Sequence, residues 1–186
     1  MSLRLSPVLA LALALAACAP PQPPPAAGPE ACFRPGGASC EALLASKIGA
    51  ATRSIEAEVY QFTLPSLAEA LIDAHRRGVD VRVTVDRTSA RGNASQVPTL
   101  AAAAVPLWCD PVHGIHHDKV LIVDRHIVCT GSFNWSRNAE HRNAENLICL
   151  DDPALAARYG ADFEQQIARA VPGPECPARP RSQYRK

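Results

Sequence analysis

Apolar residues recur along this chain with two different periods, and the order in which those periods alternate limits the fold. Residues 41–51 (Glu-Ala-Leu-Leu-Ala-Ser-Lys-Ile-Gly-Ala-Ala) place apolar side chains at helical spacing, whereas residues 54–62 (Ser-Ile-Glu-Ala-Glu-Val-Tyr-Gln-Phe) alternate apolar and polar as a strand does. A second amphipathic helix is predicted over 67–77, closed by Gly78, a residue suited to the left-handed position after a helix. Residues 79–86 (Val-Asp-Val-Arg-Val-Thr-Val-Asp) alternate again, which completes a strand–helix–strand unit. Beyond it the pattern predicts a helix over 95–104, with Pro98 near its start, and a short strand over 106–109. Two apolar runs, 119–123 and 126–130, flank Asp124-Arg125 as the arms of a tight hairpin. A strand over 145–150 and a long helix over 153–170, with Pro153 in its first turn, follow. The sum is a single α/β domain with a central mixed β-sheet flanked by helices on both faces.

The two ends of the chain read differently. Arg4 precedes a short apolar run from Pro7 to Ala17 that ends in small residues, the form of a bacterial export signal. The run is shorter than the ~20 apolar residues that span a bilayer. Its end, Leu15-Ala16-Ala17-Cys18, resembles the lipobox of bacterial lipoproteins, which implies cleavage before Cys18, acylation of that cysteine and anchoring to a membrane. Ala19 lacks the acidic character associated with inner-membrane retention, so the resemblance implies the cell envelope, and the outer membrane where one exists. The proline-rich stretch that follows favours extended polyproline and reads as a tether. The expected organisation is a leader over 1–17, Cys18 and tether over 18–30, the domain over 31–171, and a proline-rich, basic tail over 172–186.

Cysteine content and charge refine this picture. Without Cys18, the chain keeps Cys32, Cys40, Cys109, Cys129, Cys149 and Cys176, an even set that suggests disulfides in an exported protein and leaves the pairing open. No C-x-x-C pair points to a structural zinc site. Residues 18–176 carry 14 basic and 18 acidic groups, a formal charge of −4. That composition excludes a generally nucleic-acid-coating surface; any polyanion must be held by a local site or by the basic tail.

The chemistry is concentrated between residues 117 and 145. His117-Asp-Lys119-Val-Leu-Ile-Val-Asp124 has the form H-x-K-x4-D, and after six more residues comes Gly131-Ser132-Phe133-Asn134-Trp135. Alternation along a strand projects His117 and Lys119 together. An imidazole can attack phosphorus directly while a neighbouring ammonium neutralises charge on the phosphoryl oxygens. Gly131 lets the chain turn, and Ser132 and Asn134 then offer a hydroxyl and an amide to the same phosphate.

These residues resemble the hallmark of the phospholipase D superfamily, H-x-K-x4-D followed by G-S-x-N, and its single-motif branch of small secreted bacterial endonucleases and mitochondrial cardiolipin hydrolases. The resemblance runs from about Cys32 to Ala170, including Ile55 to Phe62, Arg77 to Val83 and Ala144-Glu145-Asn146. It implies a phospholipase D-like fold and a phosphodiesterase that needs no metal or other cofactor. His117 then matches the nucleophile that forms a phosphohistidine; Lys119, Ser132 and Asn134 match the phosphate-binding positions. Glu145 matches the carboxylate that orients the catalytic imidazole. Asp124 belongs to the motif and so counts among the catalytic positions, but strand parity sets it opposite His117 and favours a structural role.

Alternatives attach to several of these residues. His113 and His116 have the chemistry of loop metal ligands, although the absence of an acidic cluster favours their lining the mouth of the site. Trp135 is expected in the core beside the turn. The substrate is nucleic acid or, alternatively, glycerophospholipid. A non-catalytic envelope lipoprotein is opposed by the presence of both His117 and Lys119. With a single motif per chain, a homodimer sharing one active site is the expected assembly.

Overall fold

The computed structural model describes residues 28–175 apart from Val112. The proposed leader, Cys18, most of the tether and most of the tail lie outside the described residues. The chain begins with β1 (Glu30–Arg34), then α1 (Cys40–Ala50), β2 (Ser54–Val59), α2 (Pro65–Arg76) and β3 (Asp80–Asp86). Two short helices, α3 (Arg87–Arg91) and α4 (Val97–Ala102), lead to β4 (Leu107–Asp110). The hairpin β5 (Lys119–Val123) and β6 (Ile127–Gly131) is followed by α5 (Arg137–His141), β7 (Glu145–Asp151), α6 (Pro153–Arg169) and β8 (Val171–Pro172).

Four of the six helices described start where short polar side chains satisfy free N–H groups. Ser39 accepts from Ala42 N before α1, Asp86 from Thr88 N before α3, Ser136 from Ala139 N before α5, and Asp152 from Ala154 N and Leu155 N before α6. The hairpin turns through Asp124 and Arg125, both at positive φ (54° and 57°), with His126 N donating to Val123 O at 3.0 Å. That is the two-residue turn whose twist suits antiparallel strands.

The eight strands form one sheet in the order β1-β7-β6-β5-β2-β3-β4-β8. β2, β3 and β4 are parallel, and every other pairing is antiparallel. Helices cover both faces. On one, α1 and α2 bury Leu44, Ile48, Leu67 and Leu71 against Ile55, Ala57, Val83 and Leu121. On the other, Phe163 and Ala156 of α6 pack on Val120, Ile122 and Val128. This second face also holds charge. Glu56 is buried and receives Arg82 Nη2 at 2.6 Å, while Arg82 Nη1 reaches Glu164 of α6 at 2.9 Å and its guanidinium lies 5.2 Å from the Phe163 ring centre.

Two disulfides tie neighbouring elements together, Cys32–Cys40 between β1 and α1, and Cys129–Cys149 between paired positions of β6 and β7. Cys109 is disulfide-bonded as well. The expected domain limits shift at both ends. Glu30, assigned to the tether, is already the first residue of an edge strand, and Pro172, assigned to the tail, closes β8 beside β4.

Candidate active site

Because β5 is antiparallel to both β2 and β6, the end of β2, the start of β5 and the end of β6 meet at one end of the sheet. His117 stands exposed just before β5. Lys119 opens β5, pairs with Val59, and is buried to 7% exposure. Its Nζ donates to His117 O at 2.7 Å and lies 3.4 Å from each nitrogen of the His117 ring. Tyr60, the residue after β2, packs its ring 4.5 Å from the imidazole at 55°, and Lys119 Nζ stands 5.2 Å from the centre of that ring. Burial lowers the Lys119 pKa below its ordinary value, against opposing fields from Asp118 and Glu145. The imidazole is thus fixed between an aromatic ring and a cation while one side stays open to solvent.

The end of β6 supplies the second half. A Cβ on Gly131 would lie 2.4 Å from the carbonyl oxygen of Asn146, so only glycine allows that carbonyl to accept from Ser132 N and Phe133 N, at 3.1 and 3.2 Å. This close approach turns the chain and brings Ser132 and Asn134 to the same end. Ser132 Oγ donates to Glu145 Oε2 at 2.6 Å and accepts from Asn146 N at 3.1 Å. Asn143 Nδ2 donates to Glu145 Oε1 at 2.9 Å. Asn134 Oδ1 is buried without a hydrogen-bond partner among the described residues. An unpaired buried amide oxygen at the same end of the sheet as the His117 imidazole and the desolvated Lys119 ammonium suits a ligand rather than a core. Trp135 is fully buried, edge-on to Phe62 at 5.3 Å, as the sequence predicts.

The chain matches the family model described as cardiolipin synthase, PLD-like domain, over residues 44–167. The chain belongs to the phospholipase D-like family. It is 41% identical over 128 residues to "Phospholipase D" of Rickettsia felis, an alignment covering 69% of this chain and 64% of that protein. It is 40% identical over 123 residues to "Mitochondrial cardiolipin hydrolase" of Xenopus laevis, covering 66% of this chain and 58% of that one. Among solved structures, the phospholipase D family member Nuc from Salmonella typhimurium superposes with a TM-score of 0.73 at 34% identity, covering 78% of this chain and 97% of Nuc. The chain therefore spans about two thirds of the length of the Rickettsia relative and nearly all of Nuc.

Within this phospholipase D-like fold, the residues taken from sequence separate into three groups. His117, Lys119, Ser132 and Asn134 come together. Glu145 lies beside them, but its hydrogen bonds go to Ser132 and Asn143 rather than to the His117 ring, so the orienting contact implied by the family resemblance is not made within this chain. Asp124 sits at the far end of β5. Its carboxylate accepts from the N–H groups of Thr52, Arg53 and Ser54 and from the Thr52 hydroxyl at 2.7–3.2 Å, a position for structure and not for contact with substrate.

His116 departs most from expectation. Instead of lining the mouth it is 3% exposed, with Nε2 3.2 Å from Thr84 Oγ1 and its backbone N–H donating to Asp86 Oδ2 at 2.9 Å. Burial lowers its pKa, against the fields of Asp118, Asp110 and Asp86. The His113 ring nitrogen Nδ1 shares a hydrogen bond with Asp110 Oδ2. Among the described residues no group of three or more His, Cys, Asp or Glu side chains is disposed to hold a metal ion. Two residues passed unrecognised in the sequence. Tyr60 was visible only as an alternating strand position, and Glu58, on β2, is buried at 2% with Oε1 unpartnered. Burial, with the fields of Asp118, Asp162 and Glu56, pushes the Glu58 carboxyl up to about 8.

Proposed function

We propose that this protein is a metal-independent phosphodiesterase that cleaves nucleic acid through a phosphohistidine intermediate. The observation that carries the reading is the exposed His117 imidazole held between Tyr60 and the buried Lys119 ammonium, with Ser132 and Asn134 at the same end of the sheet. In the first step an imidazole nitrogen forms a bond to phosphorus as the bond to the leaving oxygen breaks, and that oxygen takes a proton from a general acid. Water then attacks phosphorus, giving a proton to the conjugate base of that acid, the P–N bond breaks, and the free imidazole returns. Lys119 and the Asn134 amide neutralise and orient the phosphoryl oxygens in both steps.

One imidazole cannot be nucleophile and general acid in the same step. The reading therefore includes a homodimer in which two copies of the site face each other across a two-fold axis and the partner's His117 protonates the leaving oxygen. In a coexpressed equal mixture of wild type and His117→Ala, a shared site leaves about a quarter of wild-type activity, whereas independent sites leave about half. The relatives named phospholipase D and cardiolipin hydrolase favour a second reading, hydrolysis of glycerophospholipid at the same site.

Plasmid DNA, single-stranded DNA, phosphatidylcholine and cardiolipin, each assayed after exhaustive EDTA treatment, separate the two readings. Nucleic acid cleaved and lipid untouched supports the first. Lipid turnover without nucleic-acid cleavage removes it, and activity that EDTA abolishes and zinc or magnesium restores removes the metal-free step. The reading also includes export and lipid anchoring through Cys18, resting on Leu15-Ala-Ala-Cys18. Cys18→Ala is expected to release the protein from the membrane fraction; an unacylated, soluble wild type would remove the anchor.

A further inference from the structure

Residues 113–118 lead into β5 and carry His117, and two buried carboxylates hold them. Asp110, at the end of β4, accepts from His113 N at 3.3 Å through Oδ1 and shares a hydrogen bond with His113 Nδ1 through Oδ2. Asp86, at the end of β3, accepts from His116 N at 2.9 Å through Oδ2, while its Oδ1 accepts from Thr88 N at 2.7 Å and so stays with the start of α3. The His116 ring is buried between these anchors. Its Nε2 lies 3.2 Å from Thr84 Oγ1, and its Nδ1 lies 3.7 Å from Asp110 Oδ2 and 3.9 Å from Asp118 Oδ2. The Thr84 hydroxyl donates its one proton to Ala57 O at 3.4 Å, so it accepts from His116 Nε2.

We infer that His116 is a positioning residue for the nucleophile, its buried imidazole and backbone N–H, held by Thr84 and Asp86, fixing the chain from which His117 presents its ring, a role that rests on the phosphodiesterase reading and adds a residue to the same site. With its side chain 1% exposed, His116 has no surface to offer a substrate. Thr84 pairs with Glu58 and Lys119 with Val59, and neighbours along a strand point to opposite faces. His116 is therefore gripped from the face that α6 covers, while Lys119 rises on the other. The chain at His117 is held on both sides, because the His116 N–H goes to Asp86 and the His117 carbonyl accepts from the Lys119 ammonium at 2.7 Å. This matters for the reaction. An attacking nitrogen has to stand about 3–3.5 Å from phosphorus and in line with the leaving oxygen, and about 1 Å of misplacement costs on the order of a hundredfold in rate. His117 is itself exposed, so it draws that precision from the groups around it, and His116 is the buried one joined to it directly along the chain.

Three substitutions test this on bis(p-nitrophenyl) phosphate, with thermal melts to confirm folding. His116→Ala removes the ring. His116→Gln keeps an amide N–H near the place of Nε2, and Thr84→Val removes the hydroxyl with a residue that suits a strand. Turnover is expected to fall on the order of a hundredfold in His116→Ala and about tenfold in Thr84→Val, with KM within about twofold of wild type, because binding is kept and alignment is lost. His116→Gln is expected to recover kcat to within about fivefold of wild type. A residue that only stabilised the fold would lower the melting temperature and leave kcat of the folded protein unchanged. That result in His116→Ala or, where that variant does not fold, in Thr84→Val overturns the positioning role. A rise in KM at constant kcat overturns it too, by making His116 part of substrate binding, and so does a loss in His116→Gln as large as in His116→Ala. In each of these cases wild type still turns over the diester and the phosphodiesterase reading stands. Wild type inert to the diester removes that reading, and the positioning role with it.

Discussion

At one end of β5, Lys119 is buried with its ammonium against the His117 ring, and a buried Asn134 oxygen lacks a partner among the described residues. At the other end, five residues along the same strand, Asp124 accepts hydrogen bonds from three consecutive backbone N–H groups and a hydroxyl. One H-x-K-x4-D motif thus spans the strand from a polar end left unsatisfied to a polar end fully satisfied. Desolvation without complete hydrogen bonding keeps a group reactive; desolvation with it makes a clamp. The pKa directions agree. Burial lowers Lys119 towards neutrality, whereas at Asp124 the effect of burial, which alone would raise the pKa, is outweighed by hydrogen bonds from Ser54, Arg53 and Thr52 that hold the carboxylate ionised.

Lys119→Ala breaks the reactive end and is expected to have the largest effect, a fall in kcat on the order of a thousandfold with the melting temperature unchanged or raised. Wild-type kcat is expected to decline at high pH with a midpoint below that of an ordinary lysine, because the cation is lost as pH rises through the lowered pKa. A pH–rate profile checks both points, and a Lys119→Ala protein retaining more than about a tenth of wild-type turnover would remove the role given to the ammonium.

Asp124→Ala breaks the clamped end and is expected to show the converse, a stability loss of about 2–3 kcal/mol by urea titration, with kcat within about twofold of wild type below the transition. Loss of turnover in a folded Asp124→Ala protein would mean that the two ends are not separable.

Glu58 sharpens the comparison from beneath the site, because it is buried like Lys119 but held as an acid. Its pKa, about 8, lies above its value in the unfolded chain, so the folded state binds the proton more tightly. That contribution is fully present below the unfolded carboxylate pKa and is lost as pH rises through about 8. Glu58→Gln, which cannot ionise, is expected to be more stable than wild type above that range, by about 3–5 kcal/mol, and to match it near the unfolded carboxylate pKa. Parallel pH–stability curves for the two proteins would contradict the assignment.

Much of this was legible in the sequence. Residues 119–123 form the strand that the pattern predicts, and the main helices begin or end within about two residues of their expected limits. β1 and β8 were missed because a strand of two to five residues takes its identity from a distant partner, here Glu145–Asp151 and Leu107–Asp110, and not from local periodicity. α3 and α5, five residues each, are too short to show a helical repeat and are marked only by their capping residues, Asp86 and Ser136. Glu56 and Glu58 stand at the polar positions of an alternating strand, a pattern that does not reveal their burial, because α6 covers that face and Arg82 compensates Glu56. His116 was misplaced for the same reason. The burial of a polar side chain depends on partners such as Thr84 and Asp86, which lie some thirty residues earlier in the chain.

His117 is the residue on which the proposed mechanism most directly depends. Wild-type protein in EDTA, mixed with a diester carrying labelled phosphorus and quenched within a single turnover, is expected to hold the label in an acid-labile, base-stable bond on the peptide containing His117. His117→Ala should carry no label and lose turnover by orders of magnitude. Rapid turnover by wild type with the label absent from that peptide, or undiminished turnover by His117→Ala, would contradict it.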